Sequence, residues 1–319
     1  MDHSGHGMTM DLPPFTLGRG LQWSADPFFL VACLLGLALY GWGVVRLRRR
    51  GDAWPVSRTV SYVVGVLTVA LMMCTKLNDY GMVMFSVHMV QHMVISMLSP
   101  ILVLLGAPIT LALRALPVAA RGHKGPRELL LALLHSRYMR IITHPVFTIP
   151  LFIASLYALY FTPLFDFLMG SRTGHAAMMV HFLAVGVVFF WPIIGVDPGP
   201  HRPGYLMRML ELFAGMPFHA FFGIALMMAS TPMVDTFRNP PASLGIDALS
   251  DQNAAGGIAW AFSEIPSVLV LIALLFQWYG SEQRQARRKD RAADRDGDKE
   301  LEAYNAYLAS LNARGQSGA

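Results

Sequence analysis

Hydrophobic residues along this chain form seven long runs, separated by short polar segments or segments rich in proline and glycine. A helix needs roughly 20 apolar residues to cross a bilayer, and each run approaches that length. We therefore predict an all-α fold, a polytopic membrane bundle of about seven transmembrane helices. The predicted spans are 27–45, 56–74, 82–105, 141–161, 174–194, 205–229 and 257–279.

Composition supports the membrane class. Hydrophobic residues make up 54% of the 319 positions and charged residues only 14%, against roughly 25% charged in soluble domains. Cys33 and Cys74 both lie in apolar runs, so neither a disulfide framework nor a paired-cysteine metal motif is expected. The first residues lack a basic segment and an apolar core, so no cleaved signal peptide is expected. We predict three regions: an extracytoplasmic His/Met tail (1–26), a seven-span domain (27–280) and a charged cytoplasmic tail (281–319).

Lysine and arginine placement predicts the orientation, because basic loops stay on the cytoplasmic side. With the N-terminus outside and the C-terminus cytoplasmic, the basic residues left outside are Arg19, Lys76, Arg172 and Arg238. Topology and contact with the membrane surface then account for the basic pI near 9.4, and nucleic acid is not expected as a partner.

The third span contains two histidines four residues apart, His88 and His92, interleaved with methionines. Residues at this spacing share one helix face, so both imidazoles are expected to point at the same place inside the bundle. An ionisable residue inside a membrane is costly and usually functional.

Three further spans bring polar groups to the same predicted depth, in the outer half of the membrane. These residues are His175, Met178 and His181 on span five, His219 on span six and Glu264 on span seven. A single buried histidine is often only a packing residue. Because polar groups on four spans coincide in predicted depth, we instead predict one shared site. His175 lies near the interface and fits a structural role better.

Imidazole and thioether ligands favour soft transition metals, and methionine in particular favours Cu(I). We therefore predict copper as the bound ion. The N-terminal tail mixes the same two ligand types and lies on the same predicted side, which makes it a candidate copper-collecting arm. Its candidate ligands are His3, His6, Met8 and Met10.

Several short motifs together resemble the CtaG-type cytochrome c oxidase assembly factors of bacteria. They are His88-x-x-x-His92 with Pro100 and Gly106-Ala107-Pro108, then His144-Pro145, His175, His181-Phe182, Trp191-Pro192, Asp197-Pro198 and Pro217-Phe218-His219. The resemblance covers about residues 20–280. It implies a non-enzymatic, multi-span protein of the bacterial plasma membrane that helps copper reach the catalytic subunit of a haem-copper oxidase. The implied partners are that subunit and a copper-donor protein.

Two other functions remain open from the residues alone. A copper transporter would use the same ligands, with more of them toward the inner face. A membrane haem protein would need one histidine on each of two opposed helices, to which a pair on one face is less suited. No nucleophile–base pair or phosphate loop is present in the sequence, so an enzyme is not expected.

Overall fold

The computed structural model describes residues 12–120, 123–200, 203–296 and 299–317. Seven apolar helices follow each other in the predicted order, which confirms the all-α polytopic class. They are α1 (Pro27–Arg49), α2 (Val56–Met73), α3 (85–105), α4 (Pro145–Tyr160), α5 (Arg172–Ile194), α6 (Tyr205–Met228) and α7 (Ala248–Asp296).

Six of these helices are long and apolar enough to cross a membrane. The exception is α4, whose 16 residues extend about 24 Å at 1.5 Å per residue, less than a hydrocarbon core of about 30 Å. The predicted span 141–161 began too early, because Ile141 and Ile142 belong to a separate short helix, Arg137–Ile142. A new helix then starts at Pro145, with the His144 side chain accepting a hydrogen bond from the Val146 amide.

The last span also differs from the prediction, since α7 begins at Ala248 rather than near residue 257. The Asp247 carboxylate accepts a hydrogen bond from the Ser250 amide at 2.9 Å, which stabilises this earlier start. The chain divides into two compact units, one ending at Val270 and the other beginning at Leu271. The first unit contains α1 to α6 and the start of α7. The second contains the rest of α7 and the helix Lys299–Ser317.

Helix α3 lies between α2 and α5 and is irregular at its centre. A π-helical turn, Val94–Leu98, begins two residues after His92, and Pro100 lies two residues beyond its end. Proline has no amide hydrogen, so the helix loses one regular hydrogen bond there. Gly186 of α5 packs against this turn, and a Cβ at that position would collide with the Ser96 carbonyl. Single π-helical turns often mark functional sites.

One end of the bundle joins the N-terminal segment to the connection between α2 and α3. Trp23 and Thr75 form an isolated antiparallel bridge, and the Tyr80 hydroxyl donates to the Pro13 carbonyl at 2.9 Å. At the same end, the Asp251 carboxylate accepts hydrogen bonds from the Phe85 and Ser86 amides and so caps the start of α3. Residues 12–26 are thus packed onto the bundle.

The opposite end is closed by a short helix, Pro108–Ala115, and by the loop between α5 and α6. The buried Asp197 carboxylate caps that short helix by accepting hydrogen bonds from the Ile109 and Thr110 amides. Burial raises the pKa of the Asp197 carboxyl above its ordinary value, and these hydrogen bonds oppose the rise. Arg208 donates to the last carbonyls of α5, at Ile193 and Ile194.

Candidate functional site

Helix α3 places both of its histidines on the buried side. His88 and His92 are 0% and 2% exposed, and His175 of α5 and His219 of α6 are 1% and 3% exposed. The helical spacing of four explains why the two α3 residues share a face. Four imidazoles from three helices are therefore inside the bundle, and they fall into two pairs.

The first pair, here called the upper histidine pair, consists of His88 and His175, whose ring centroids are 5.5 Å apart. His88 Nε2 is hydrogen-bonded to the Tyr160 hydroxyl at 3.0 Å. Its Nδ1 atom, and Nε2 of His175, are buried and have no hydrogen-bond partner among the described residues. One unpaired nitrogen on each ring, at this separation, suits a single bridging ion, since metal–imidazole bonds are about 2.0 Å long.

Aromatic rings cover the upper pair. Phe165 and Phe237 lie with their centroids 5.1 and 5.8 Å from that of His88. Phe85 stacks on Phe237 at 4.8 Å. The rings keep water away from the imidazoles, so a ligand bound there would sit in a low-dielectric environment.

The second pair, the lower histidine pair, consists of His92 and His219. Both line one cavity of about 10 Å³, together with Ser96, Ser155 and Phe182. Neither ring nitrogen of His92 has a hydrogen-bond partner among the described residues, and the Ser96 hydroxyl is also unpaired. The Phe182 ring meets His92 edge-on at a centroid distance of 3.9 Å. A volume of this size holds about one water molecule or one ion.

Two methionines adjoin the lower pair. Met97 of α3 and Met216 of α6 line a second cavity of about 10 Å³, which His219 also borders. His219 therefore borders both cavities, one shared with His92 and the other shared with the two methionines. The sequence analysis did not include either methionine among the ligands, although Met216 precedes the Pro217-Phe218-His219 motif directly.

No group of three or more His, Cys, Asp or Glu side chains within the described segments is close enough together to hold a metal ion. The arrangement instead provides two imidazole pairs, one of them beside thioethers. Few, soft and neutral ligands are the set that favours Cu(I) over hard divalent ions.

The structure does not bring every predicted ligand to these pairs. His181 is an exposed residue of α5 that only adjoins the lower pair: its Nε2 is hydrogen-bonded at 3.0 Å to the hydroxyl of Ser155, which lines the lower cavity. It is close enough to His92 to interact with it electrostatically. Glu264 is half-buried on α7, and Met178 is buried on the same helix as His175. The tail ligands His3, His6, Met8 and Met10 lie outside the described residues.

One buried acid was missed by the sequence analysis. Glu211 of α6 is 1% exposed, and both of its carboxyl oxygens lack a hydrogen-bond partner among the described residues. It follows Arg208 by one helical turn. The available signal was a Glu in an otherwise apolar segment, but Glu211 falls in the inner half of predicted span six, outside the layer in which the shared site was predicted.

Comparison with known proteins identifies the family. The chain belongs to the cytochrome c oxidase caa3 assembly factor family, Caa3_CtaG, whose family model matches residues 38–281. This confirms the resemblance that the motifs indicated.

The curated relatives are mycobacterial. Uncharacterized protein Mb0105 of Mycobacterium bovis and Uncharacterized protein MT0111 of Mycobacterium tuberculosis are each 45% identical to this chain over 310 residues. Uncharacterized protein ML1998 of Mycobacterium leprae is 45% identical over 312 residues. Each alignment covers 96% of this chain and 47% of the relative, so the chain spans about half the length of the curated relatives it matches. No solved structure matches the chain.

Proposed function

We propose that this member of the caa3 assembly factor family binds Cu(I) at its two buried histidine pairs and passes it to the catalytic subunit of a haem-copper oxidase. Copper is here the cargo of the protein. The proposed setting is the bacterial plasma membrane, with a copper-donor protein supplying the ion on the outer side. Family membership supports the oxidase as the client, and the buried ligands support copper as the cargo.

The observation that favours a bound ion most directly is the set of unpaired ring nitrogens. A buried donor or acceptor without a partner costs about 1–3 kcal/mol, and His88, His92 and His175 together have four such nitrogens among the described residues. A packing histidine would normally satisfy at least one nitrogen, as His88 does through Tyr160. A metal ion would give the remaining nitrogens partners and would repay the cost of burying them.

Cavity size favours an ion over haem. The two cavities that His219 borders hold about 10 Å³ each, enough for a single small species. A porphyrin would require the helices to move apart by several side-chain widths. The thioethers of Met97 and Met216 favour copper in its reduced state, because soft ligands select Cu(I).

The other end of the bundle argues against transport across the membrane. Its buried charged groups are Asp197, Arg208 and Glu211, which provide oxygen and guanidinium groups rather than imidazole or thioether. Oxygen ligands suit harder cations, and a guanidinium repels any cation. Among the buried side chains that the structure describes, a Cu(I) ion leaving the histidine pairs in that direction would meet no further imidazole or thioether, so exchange on the upper side is the simpler route.

Orientation belongs to the proposal as well. We propose that the upper histidine pair is nearer the outer surface, as the distribution of basic residues predicts. A reporter fused after Arg50 should then be cytoplasmic, and one in the loop 232–247 should be outside. The reverse result would place the upper pair on the cytoplasmic side and would remove the outer copper donor from the scheme.

The direct test is anaerobic titration of the purified full-length protein with Cu(I) in competition with a colorimetric chelator. Wild type and the matched control His135→Ala, which removes an exposed imidazole from the segment between α3 and α4, should bind equally. A His92→Ala, His219→Ala double variant should lose most of the affinity. Absorption spectra of the same samples check for haem. Equal Cu(I) binding by the double variant, or a haem spectrum in wild type, would overturn the proposal.

A further inference from the structure

A cavity of about 250 Å³ opens at the end of the bundle opposite the upper histidine pair. It lies where α5 ends and α6 begins. Among the residues that line it are Trp191, Asp197, Gly204, Tyr205 and Arg208. The histidine pairs do not border it, so the cavity is a separate site.

The start of α6 offers free backbone donors to this cavity. Gly204 precedes the helix and has no side chain to cap it. The first amides of a helix have no partner within the helix, and the helix dipole makes this end partly positive. Such an end is a ready binding place for a phosphate group. A helix start by itself does not define a binding site. Two buried side chains that line the same cavity, Arg208 and Trp191, add further donors.

Arg208 is the first of these side chains. It is 8% exposed, and two of its nitrogens, Nε and Nη2, donate to the carbonyls of Ile193 and Ile194. No carboxylate in the described segments lies within ion-pair distance of its guanidinium. Its remaining N–H groups are available at the cavity, and the Tyr205 ring, with its centroid 5.4 Å from the guanidinium carbon, holds the group in place.

Trp191 is the second of the two buried side chains at the cavity. Its indole lines the cavity and is 9% exposed, and its Nε1–H group is buried without a hydrogen-bond partner among the described residues. Indole nitrogen is only a donor, so the missing partner must be an acceptor. The Trp191 N–H group, the guanidinium of Arg208 and the first amides of α6 are all hydrogen-bond donors, a set that suits a group with negatively charged oxygens.

Two acids lie near the site, and neither forms an ion pair with Arg208. Asp197 also lines the cavity, but its carboxylate already accepts three hydrogen bonds from the start of the Pro108–Ala115 helix. The positive end of that helix offsets the charge of Asp197. Glu211 is about one turn further along α6 and interacts electrostatically with Arg208, but it forms no ion pair with the guanidinium and is not among the residues that line the cavity.

We propose that this cavity binds a phosphate group through Arg208, the Trp191 indole and the first amides of α6. A phospholipid headgroup or free phosphate could supply the same chemistry. The cavity lies at helix ends, where the predicted membrane surface would be, and basic pockets between helices on the cytoplasmic side are typical headgroup sites. The site does not depend on copper and goes beyond the assembly function proposed above.

Native mass spectrometry and thermal unfolding of the purified full-length protein test the proposal. The probes are phosphatidylethanolamine, phosphatidylglycerol and inorganic phosphate, each added to delipidated protein in mild detergent. Wild type should bind a phosphate-bearing probe and unfold at a higher temperature with it. Trp191→Phe keeps the ring and removes only the N–H group, so its affinity should fall by about tenfold, the value of one hydrogen bond to a charged group.

Two further variants complete the design. Arg208→Gln should lose binding, and the matched control Trp260→Phe, which alters a tryptophan 46% exposed on α7, should bind like wild type. Binding of the lipids alone assigns the site to a headgroup, and equal binding of inorganic phosphate assigns it to the free ion. The proposal is wrong if none of the probes binds, or if Trp191→Phe binds as tightly as wild type.

Discussion

Two carboxylates that cap helices and the buried imidazoles differ sharply in their hydrogen bonding. The buried Asp197 carboxylate and the half-buried Asp251 carboxylate each accept several hydrogen bonds from the first residues of a helix. At the histidine pairs, four ring nitrogens and the Ser96 hydroxyl have no partner among the described residues. Burial alone does not separate the two sets of residues, because Asp197 is as buried as His219.

The difference separates groups that build the fold from groups kept ready for a ligand. Burying a polar group without a partner is unfavourable, so a structural residue is expected to be satisfied within the chain. The aspartates meet this expectation and fix where two helices begin. The histidines do not meet it among the described residues, and this is the observation on which we propose a bound ion there. We therefore expect substitution of a capping aspartate to reduce stability and substitution of a buried histidine to reduce function.

The largest functional effect is expected at the lower histidine pair. His92→Ala should abolish maturation of the client oxidase, because the ion would lose its central ligand, while the protein level in the membrane stays near normal. Removing an imidazole with two unpaired nitrogens takes away no internal hydrogen bond. The measurement is oxidase activity in a strain lacking the native protein, with immunoblotting for the variant and with His135→Ala, at an exposed histidine between α3 and α4, as control. Normal oxidase activity at normal protein level would contradict the assignment.

The largest structural effect is expected at Asp197. Asp197→Ala removes three hydrogen bonds to Ile109 and Thr110 and should lower the free energy of unfolding by about 2–4 kcal/mol, given the usual value of helix caps and charged hydrogen bonds. Thermal unfolding in detergent measures this. Cu(I) affinity of the folded fraction should be unchanged. Asp290→Ala, in an exposed part of α7, serves as the control, and a matching loss there would mean that general charge removal is responsible.

A smaller effect is expected from the thioethers beside His219. The double variant Met97→Leu, Met216→Leu should lower Cu(I) affinity on the order of tenfold, because two soft ligands or near neighbours are replaced by hydrocarbon. Stability should change by less than about 1.5 kcal/mol, since leucine and methionine have similar volumes. Competition titration and thermal unfolding give the two values. Unchanged affinity would leave the imidazoles as the only ligands and would weaken the case for Cu(I) over other borderline metals.

Much of the bundle could be predicted from the sequence because long apolar runs are a strong signal. The seven helices appear in order, and the spacing of His88 and His92 places both on a buried face. Boundaries were less accurate. The start of α7 depends on the Asp247 cap, and the start of α4 depends on a break after Ile142 that the apolar pattern does not reveal.

The partners of each histidine were harder to predict, because depth in a span says nothing about rotation around the helix. His175 was predicted near the outer end of its helix with a structural role, and His181 deeper on the same helix as a ligand, yet His175 is buried against His88 and His181 is exposed beside Ser155. Six residues correspond to about 1.7 helical turns, which points the two side chains to different sides. Glu264 was placed by depth alone in the same way. The Met97 and Met216 contacts depend on how three helices pack around His219.

Deletion of the N-terminal arm, residues 1–10, is expected to have the smallest effect on oxidase maturation, and only when copper is scarce. Its ligands His3, His6, Met8 and Met10 have no rigid scaffold in the sequence pattern, so binding must order them and the added affinity should be modest. The histidine pairs are on packed helices and need little ordering. Deleting Met1–Met10 stops short of Pro13, whose carbonyl accepts the Tyr80 hydroxyl, so the packed segment should remain in place.

We therefore expect the truncated protein to mature its oxidase normally in copper-rich medium and to fall behind the full-length chain only when copper is scarce. The His88→Ala, His92→Ala variant should fail in both media, because added copper cannot replace a missing internal site. Oxidase activity measured across a copper series compares the two. If truncation alone abolishes maturation in excess copper, the arm is an essential ligand or a docking segment. The contrast between an ordered site and a collecting arm would then be wrong.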